Sequence, residues 1–165
     1  MRVHAAILLL LLLLTGCEPP HRPPPPTLLF EGLPVRGSMA DAQRAGFTDC
    51  IKDTQYVRCR RKDVMLFGHG PYRAAVHPLY SDGSGGFDEL TLYHDQDQSA
   101  VVEVGMMLEK QGWRLCRTGT DENRGDQAIY TRAGSPVRFS MDLSYWGKRR
   151  FRILPELHQP TGHCW

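Results

Sequence analysis

An apolar run near the N-terminus determines which part of the chain has to fold, and in which compartment. Ala5 to Leu14 contains no polar side chain, and Arg2 places a positive charge in front of it. Ten residues of helix extend about 15 Å, which is roughly half the thickness of a bilayer core. A short apolar run behind a basic N-terminus is typical of an export signal. The folded part is therefore expected to begin after this run, outside the cytoplasm.

The apolar run ends in a four-residue motif, Leu14-Thr15-Gly16-Cys17. The order Leu, small residue, Gly, Cys resembles the lipobox of bacterial lipoproteins. The resemblance implies that residues 1–16 are a signal peptide and that the Cys17 thiol receives a diacylglyceryl group. After cleavage, the new amino group of Cys17 would usually be acylated, commonly with palmitate. The alternative is an ordinary secreted protein with a chance Cys near its cleavage site.

The residue after the lipobox bears on which membrane holds the chain. Glu18, not Asp, follows Cys17. By the enterobacterial sorting pattern, the absence of Asp at this position implies transfer to the outer membrane. The expected location is therefore the bacterial cell envelope, with the protein lipid-anchored in the outer membrane and facing the periplasm.

A proline-rich segment follows the motif. Glu18 to Pro26 contains six prolines, which remove backbone donors and favour an extended polyproline II chain. Residues 17–32 are therefore interpreted as the lipidated Cys with a linker, and residues 33–165 as a single domain tied by disulfides. Nine residues at about 3.1 Å each would hold that domain roughly 28 Å from the lipid headgroups. A proline-rich ligand for a binding groove is the alternative.

The composition excludes several classes of protein. Apolar residues make up 41% of the chain and charged residues 23%, which suits one soluble core rather than a membrane bundle. The chain has 20 Lys and Arg against 18 Asp and Glu, a formal net charge of +2. So small a surplus argues against a nucleic-acid partner.

An oxidising periplasm favours disulfides among the four remaining cysteines, Cys50, Cys59, Cys116 and Cys164. Four cysteines allow three pairings, and sequence alone leaves them open. A short hairpin over residues 51–58 would place Cys50 opposite Cys59, which favours that pair and leaves Cys116 for Cys164. The second disulfide would tie the C-terminal tail to the body and stabilise it by roughly 3–4 kcal/mol in the chain-entropy model.

Local patterns predict an α+β domain, an antiparallel sheet with two short helices. Ser38 to Asp41 is a capping-box pattern that begins a helix, with Gly46 after its end. A second helix is expected from about Ser99 to Gln111, with Val101, Val104, Leu108 and Gln111 on one stripe. Period-two alternation predicts strands over Val137–Tyr145, Phe151–Ile153 and Leu90–Tyr93, and weaker ones over Tyr56–Arg60 and Arg73–Leu79.

An internal similarity suggests two tandem helix-plus-strands units. Gly46-Phe47-Thr48-Asp49-Cys50 and Gly112-Trp113-Arg114-Leu115-Cys116 share Gly, an aromatic residue, two further residues and Cys, each after a helix. In layout, residues 33–154 resemble two groups of proteins. One is the small lipoprotein of the outer-membrane barrel-assembly machinery, and the other is the secreted β-lactamase-inhibitor protein. The resemblance is one of layout, so it implies no functional residue.

Two basic clusters are the candidate contact residues. In strands, Arg58 and Arg60 would share one face, as would Arg150 and Arg152. If the two strands are neighbours, the four side chains form an arginine-rich sheet face. Such a face suits lipid phosphates, an acidic glycan or an acidic partner. The alternative is a solvated face whose charges pair with local acids.

No catalytic or cofactor-binding motif is evident, so the expected function is non-enzymatic. The Asp82–Gly86 segment is interpreted as a turn. We expect no cofactor and no metal. A site of His158, His163 and Cys164 is the metal alternative, but it lacks a second ligand pair at metal spacing.

The chain is expected to be a membrane-anchored binding or envelope accessory module. Its expected partners are the membrane, through the lipid on Cys17, and an unidentified envelope protein or anionic envelope component. The alternative function is inhibition of an envelope or secreted enzyme by an exposed loop, Gly68–Tyr72 or Gly83–Phe87. Tyr72 or Phe87 would then be the aromatic anchor.

Overall fold

A computed structural model of the chain describes residues 23–52, 57–80, 82–117, 128–142, 149–157 and 164. The elements are β1 (Leu28–Phe30), β2 (Leu33–Arg36), α1 (Met39–Arg44), β3 (Asp49–Lys52), β4 (Val57–Leu66), β5 (His69–Val76), β6 (Leu90–Tyr93), α2 (Ser99–Lys110), β7 (Arg114–Arg117), β8 (Ala128–Thr131), β9 (Val137–Met141) and β10 (Phe151–Pro155). The signal peptide, Cys17, the predicted strand residues Leu143 and Tyr145, and the metal candidates His158 and His163 lie outside the described residues.

Eight strands form one antiparallel sheet in the order β3-β4-β5-β6-β10-β9-β8-β7. Strands β3 to β6 follow α1 in sequence and lie side by side, and strands β7 to β10 follow α2 in the same way. The two runs meet where β6 pairs with β10. The molecule is therefore sheet-dominated, with two short helices, in agreement with the antiparallel sheet that the sequence predicted.

The first helix begins as its sequence predicts. The Asp41 amide donates to the Ser38 hydroxyl at 3.1 Å, and the Ser38 amide donates to the Asp41 carboxylate at 2.8 Å, which completes the capping box. Gly46 follows the helix with φ +87°, a conformation that glycine adopts without strain. Phe47 then enters the core fully buried.

The second helix packs on the sheet through Val101, Val104 and Leu108, all buried as predicted. Gln111, which was expected on the same stripe, lies at the helix C-cap and is exposed. Gly105 faces the sheet at a close approach: a Cβ at this position would overlap the Tyr130 hydroxyl and lie 3.2 Å from the Met141 methyl. Glycine here lets the helix lie flush on β8 and β9.

The core lies between the helices and one face of the sheet. The alternating side chains of β9 and β10 point into it, as their period-two pattern predicted. An aromatic cluster of Phe30, Phe67, Trp113, Phe139 and Phe151 fills its centre, and the Trp113 and Phe139 rings meet edge to face at 4.6 Å.

The linker assignment for residues 17–32 was wrong at its C-terminal end. Leu28–Phe30 forms a strand that pairs with β2, and Phe30 is part of the core. Glu31 and Gly32 both have positive φ, which is the geometry of a two-residue hairpin turn. Three apolar residues after a proline run are too few to show the period-two alternation of a strand, so the sequence pattern does not distinguish this strand from the linker.

Two other boundaries differ from the prediction. Strand β4 extends to Leu66 and β5 begins at His69, because Phe67 and Gly68 form a second turn with two positive φ angles. The alternation across this hairpin is interrupted, and the register shifts between Arg61 and Leu66. Because the periodicity is weak, the sequence predicts only the first half of β4.

Both disulfides that the hairpin argument favoured are present. Cys50 and Cys59 are directly opposite each other on β3 and β4, with Cα atoms 4.0 Å apart. Cys116 on β7 bonds to Cys164, with Cα atoms 5.5 Å apart. The first disulfide links neighbouring strands, and the second ties the C-terminal tail to the far edge strand of the sheet.

Candidate functional site: an arginine-lined groove

The face of the sheet opposite the helices, here called the outer face, carries a row of directly opposed residues. Arg60 on β4 faces Ala75 on β5, Ala75 faces Thr91 on β6, and Thr91 faces Arg152 on β10. Strands lie about 4.8 Å apart, so the Arg60 and Arg152 backbones are roughly 14 Å apart. Two short side chains between two long ones produce a groove that runs along β5 and β6.

The condition under which the sequence suggested a basic face, that the two basic strands are neighbours, is not met. Strands β5 and β6 lie between β4 and β10 because the two four-strand runs meet at β6 and β10. The four predicted contact residues still line one groove, Arg58 and Arg60 from one side and Arg150 and Arg152 from the other. The intervening strands separate the clusters and so create the groove.

The groove consists of two adjoining cavities of about 280 and 520 Å³. His77, Thr91 and Arg150 line both of them. The smaller cavity is lined by four arginines, Arg58, Arg60, Arg73 and Arg150. The larger one is lined by three acids and two arginines, Asp88, Glu89, Asp142, Arg150 and Arg152.

Sequence reasoning missed Arg73 and His77. Both lie on the outer face at period-two spacing with Ala75, inside the weak strand that the sequence predicted over Arg73–Leu79. The alternation of Arg73, Ala75 and His77 with buried Ala74 and Val76 is the signal that would have found them.

Several groove arginines pair with local acids, as the alternative interpretation expected. Arg60 binds Asp49 at 2.7 Å, Arg152 binds Glu89 at 3.2 Å, and Arg73 pairs with Asp95. These side chains are partly exposed, so each pair contributes little to folding, typically under about 1 kcal/mol.

A cationic surplus remains in the smaller cavity despite these pairs. Among the described residues, Asp95 is the one carboxylate in its lining, against four guanidiniums. The Arg60 Nε is buried without a hydrogen-bond partner in the part of the chain that the structure describes. Within the same part, Arg150 forms no ion pair and its side chain is exposed. The smaller cavity is therefore suited to an anion.

His77 lies where the two cavities join. Burial lowers the pKa of its imidazole, and the positive charges of Arg58, Arg150 and Arg152 lower it further, while the Glu89 carboxylate opposes them. His77 is therefore neutral at pH 7. The positive charge of the groove comes from its arginines.

The aromatic residues proposed as inhibitor anchors are buried. Tyr72 and Phe87 are 3% and 0% exposed, so both belong to the core. The Tyr72 hydroxyl donates to the Ala100 carbonyl at 3.2 Å. In the Asp82–Gly86 turn, the Ser84 amide donates to the Asp82 carboxylate at 2.8 Å, which is the bond of an Asx turn. Leu79 and Tyr80, just before this turn, have exposed apolar side chains.

Among the described residues, the remaining candidates give no second site. Cys164 is engaged in a disulfide, which removes it from the predicted metal alternative. Within the described ranges, no group of three or more metal-ligating side chains could hold an ion. No helix in those ranges combines the length and apolarity needed to cross a membrane. The chain matches no family model, no curated protein and no solved structure.

Proposed function

We propose that this chain is a lipid-anchored protein of the bacterial envelope that binds an anionic envelope component through the arginine groove. The observation that supports the proposal best is the convergence of Arg58, Arg60, Arg73 and Arg150 on one cavity. They come from β4, from β5 and from the residue before β10. Side chains from separate segments that surround one cavity are typical of a binding site, whereas solvated charges spread over a surface.

Binding suits this groove better than catalysis. Guanidiniums dominate the lining of the smaller cavity, and a guanidinium stays protonated at every physiological pH. It holds a carboxylate or a phosphate through paired N–H donors but exchanges no proton with it. We therefore describe the module as non-enzymatic.

The lipobox supports the anchor at Cys17 and, with Glu18, the outer membrane facing the periplasm. The folded body brings the anchor closer than the linker argument expected. A Cβ on Gly86 would lie 3.0 Å from Pro25, so the end of the proline run packs against the loop over residues 79–88. Six residue-to-residue steps join Cys17 to Pro23 and span at most about 20 Å. The lipid anchor therefore holds the body near the membrane, and the anchored segment meets the body beside Leu79 and Tyr80.

Those two residues support inhibition of an envelope or secreted enzyme as a second candidate function. Leu79 and Tyr80 are 46% and 45% exposed, and Leu79 lies at the end of the larger cavity. An exposed aromatic beside charged side chains resembles the centre of a protein interface. Loss of partner binding on Tyr80→Ala, with the groove arginines dispensable, would favour the inhibitor.

A finer description of the fold supports the same proposal. We infer two tandem helix-plus-strands units, because α1 and α2 each precede four sequential strands. Gly46 and Gly112 both have positive φ, and the aromatic residue after each is buried. The layout is similar to that of the two groups of exported proteins named above, and it presents the outer face at the junction of the units.

The test compares two charge-matched double variants of the lipidated protein in an uncharged detergent. Arg58→Gln with Arg150→Gln removes two charges from the smaller cavity. Arg114→Gln with Arg117→Gln removes two from the edge strand β7. We expect the groove variant alone to lose most of its retention on outer-membrane extract, and moderate salt to reproduce the loss. Equal retention of both variants, with unchanged melting temperatures, would refute the proposal.

A further inference from the structure

We propose that the arginine groove takes an acidic saccharide, with its anionic group in the smaller cavity and its hydroxyls on the carboxylates of the larger one. This inference rests on the proposed function and names the class of ligand. It follows from the uneven distribution of charge along the groove, which a uniform anion would not fit.

The two cavities differ in the charged side chains that line them. Among the described residues, four arginines and one carboxylate, Asp95, line the smaller cavity. Asp88, Glu89 and Asp142 line the larger cavity, against Arg150 and Arg152. Glu89 already accepts hydrogen bonds from Arg152 at 3.2 Å and from the Thr91 hydroxyl at 2.9 Å. Among the described residues, the lining of the larger cavity therefore holds more carboxylates than guanidiniums, three against two, whereas the smaller cavity holds one against four.

A ligand must therefore offer an anion at one end and hydrogen-bond donors at the other. Ionised carboxylates only accept hydrogen bonds, so Asp88 and Asp142 would repel the next charge of a polyanion or an anionic lipid surface. Sugar hydroxyls donate to carboxylates, and a uronate or a sugar phosphate adds the anion that guanidiniums bind. An acidic saccharide combines both groups in one molecule.

The dimensions of the groove agree with a ligand larger than a single ion. Strand β5 rises about 3.4 Å per residue, so the groove extends roughly 14 Å from Arg73 to His77 alone. The larger cavity, at about 520 Å³, has the volume of a small-molecule site. Its lining combines Pro78 and Leu79 with Thr91, His77 and charged side chains, whereas a site for an apolar ligand would carry few charges.

Titration calorimetry on the lipidated protein in uncharged detergent tests the inference with four probes. The probes are galacturonosyl-digalactose, which carries one carboxylate at one end, its neutral counterpart trigalactose, inorganic phosphate and vesicles of anionic lipid. We expect galacturonosyl-digalactose to bind roughly tenfold or more tightly than phosphate or trigalactose, a difference of about 1.4 kcal/mol per tenfold.

A second pair of variants separates this inference from the proposed function. Asp88→Asn with Asp142→Asn should weaken galacturonosyl-digalactose binding several-fold and leave phosphate binding unchanged or stronger. Asp63→Asn with Glu109→Gln removes two exposed acids elsewhere and should change neither. Arg58→Gln with Arg150→Gln should abolish binding of both anions.

Other outcomes would contradict the saccharide inference alone, or the proposed function as well. Equal binding of phosphate and galacturonosyl-digalactose, strengthened alike by Asp88→Asn with Asp142→Asn, would overturn the saccharide and leave anion binding intact. Preference for the vesicles would assign the groove to a lipid surface and also overturn the saccharide. If no anionic probe bound and outer-membrane extract bound equally to both arginine variants, the proposed function would fall as well.

Discussion

Arg60 and Arg152 lie on opposite sides of one row of opposed residues, with Ala75 and Thr91 between them. The groove exists because the two central positions hold short side chains and the two flanking positions hold long ones. Ala75 and Thr91 form the floor of the groove. The small size of these side chains should therefore matter for binding independently of the charge of the groove.

Ala75→Leu tests the floor without changing any charge. The larger side chain would project into the smaller cavity, so we expect it to weaken binding of an anionic ligand by roughly tenfold or more. Ala75 is 2% exposed but lies on the outer face, so the added atoms would displace groove side chains and not the core, and the melting temperature should stay within a few degrees. Ala133→Leu, in an exposed turn, is the matched control and should leave binding intact. Full binding by Ala75→Leu would mean that the ligand does not enter the groove.

The contact between Gly105 and Tyr130 gives a prediction about the fold. Alanine favours helix over glycine by about 1 kcal/mol, so Gly105→Ala would stabilise an isolated helix. In this protein we expect Gly105→Ala to lower the free energy of unfolding by about 1–3 kcal/mol, because the new methyl group would overlap the Tyr130 hydroxyl.

Denaturant titration of the single and double variants measures this coupling. In a Tyr130→Phe background the overlapping hydroxyl is gone, so Gly105→Ala should cost less than in the parent protein. A net stabilisation by Gly105→Ala in the parent would show that α2 does not lie flush on β8.

The sequence predicts local structure well and the location of the groove poorly. Ser38 and Asp41 form the predicted cap because all its atoms lie within one turn of chain. Cys50 and Cys59 pair because a hairpin brings them together. By contrast, Arg58 and Arg150 share a groove only because β6 pairs with β10, a contact between distant segments that no local period encodes.

His77 should make stability depend on pH in a definite direction. Burial, aided by Arg58, Arg150 and Arg152 and opposed by Glu89, lowers the pKa of His77 below its ordinary value of 6.5. Below pH 6.5 the unfolded chain therefore binds a proton that the folded protein does not, so stability falls as the pH falls toward the folded pKa.

Denaturant midpoints of the parent and of His77→Gln between pH 7.5 and about pH 5 check this dependence. The variant should lose less stability than the parent over this interval. His69→Gln, at an exposed position on β5, serves as the control and should follow the parent. A variant that loses as much stability as the parent would show that His77 is not held neutral.

The lipobox gives a prediction about maturation. Cys17→Ser removes the thiol that the diacylglyceryl group would occupy, so we expect unprocessed precursor and no incorporation of labelled palmitate. Mass analysis of the parent protein should begin at an acylated Cys17. A Cys17→Ser protein that matures and fractionates with membranes like the parent would contradict the anchor.

Photo-crosslinking in intact cells tests the central claim, that the arginine groove is the binding surface. A photoreactive residue at position 93, in the smaller cavity, is compared with one at Met106, which is exposed on α2. We predict an adduct from position 93 that disappears when Arg58→Gln and Arg150→Gln are added, and none from position 106. An adduct from position 93 that survives the loss of both arginines, or one formed only from position 106, would contradict the account.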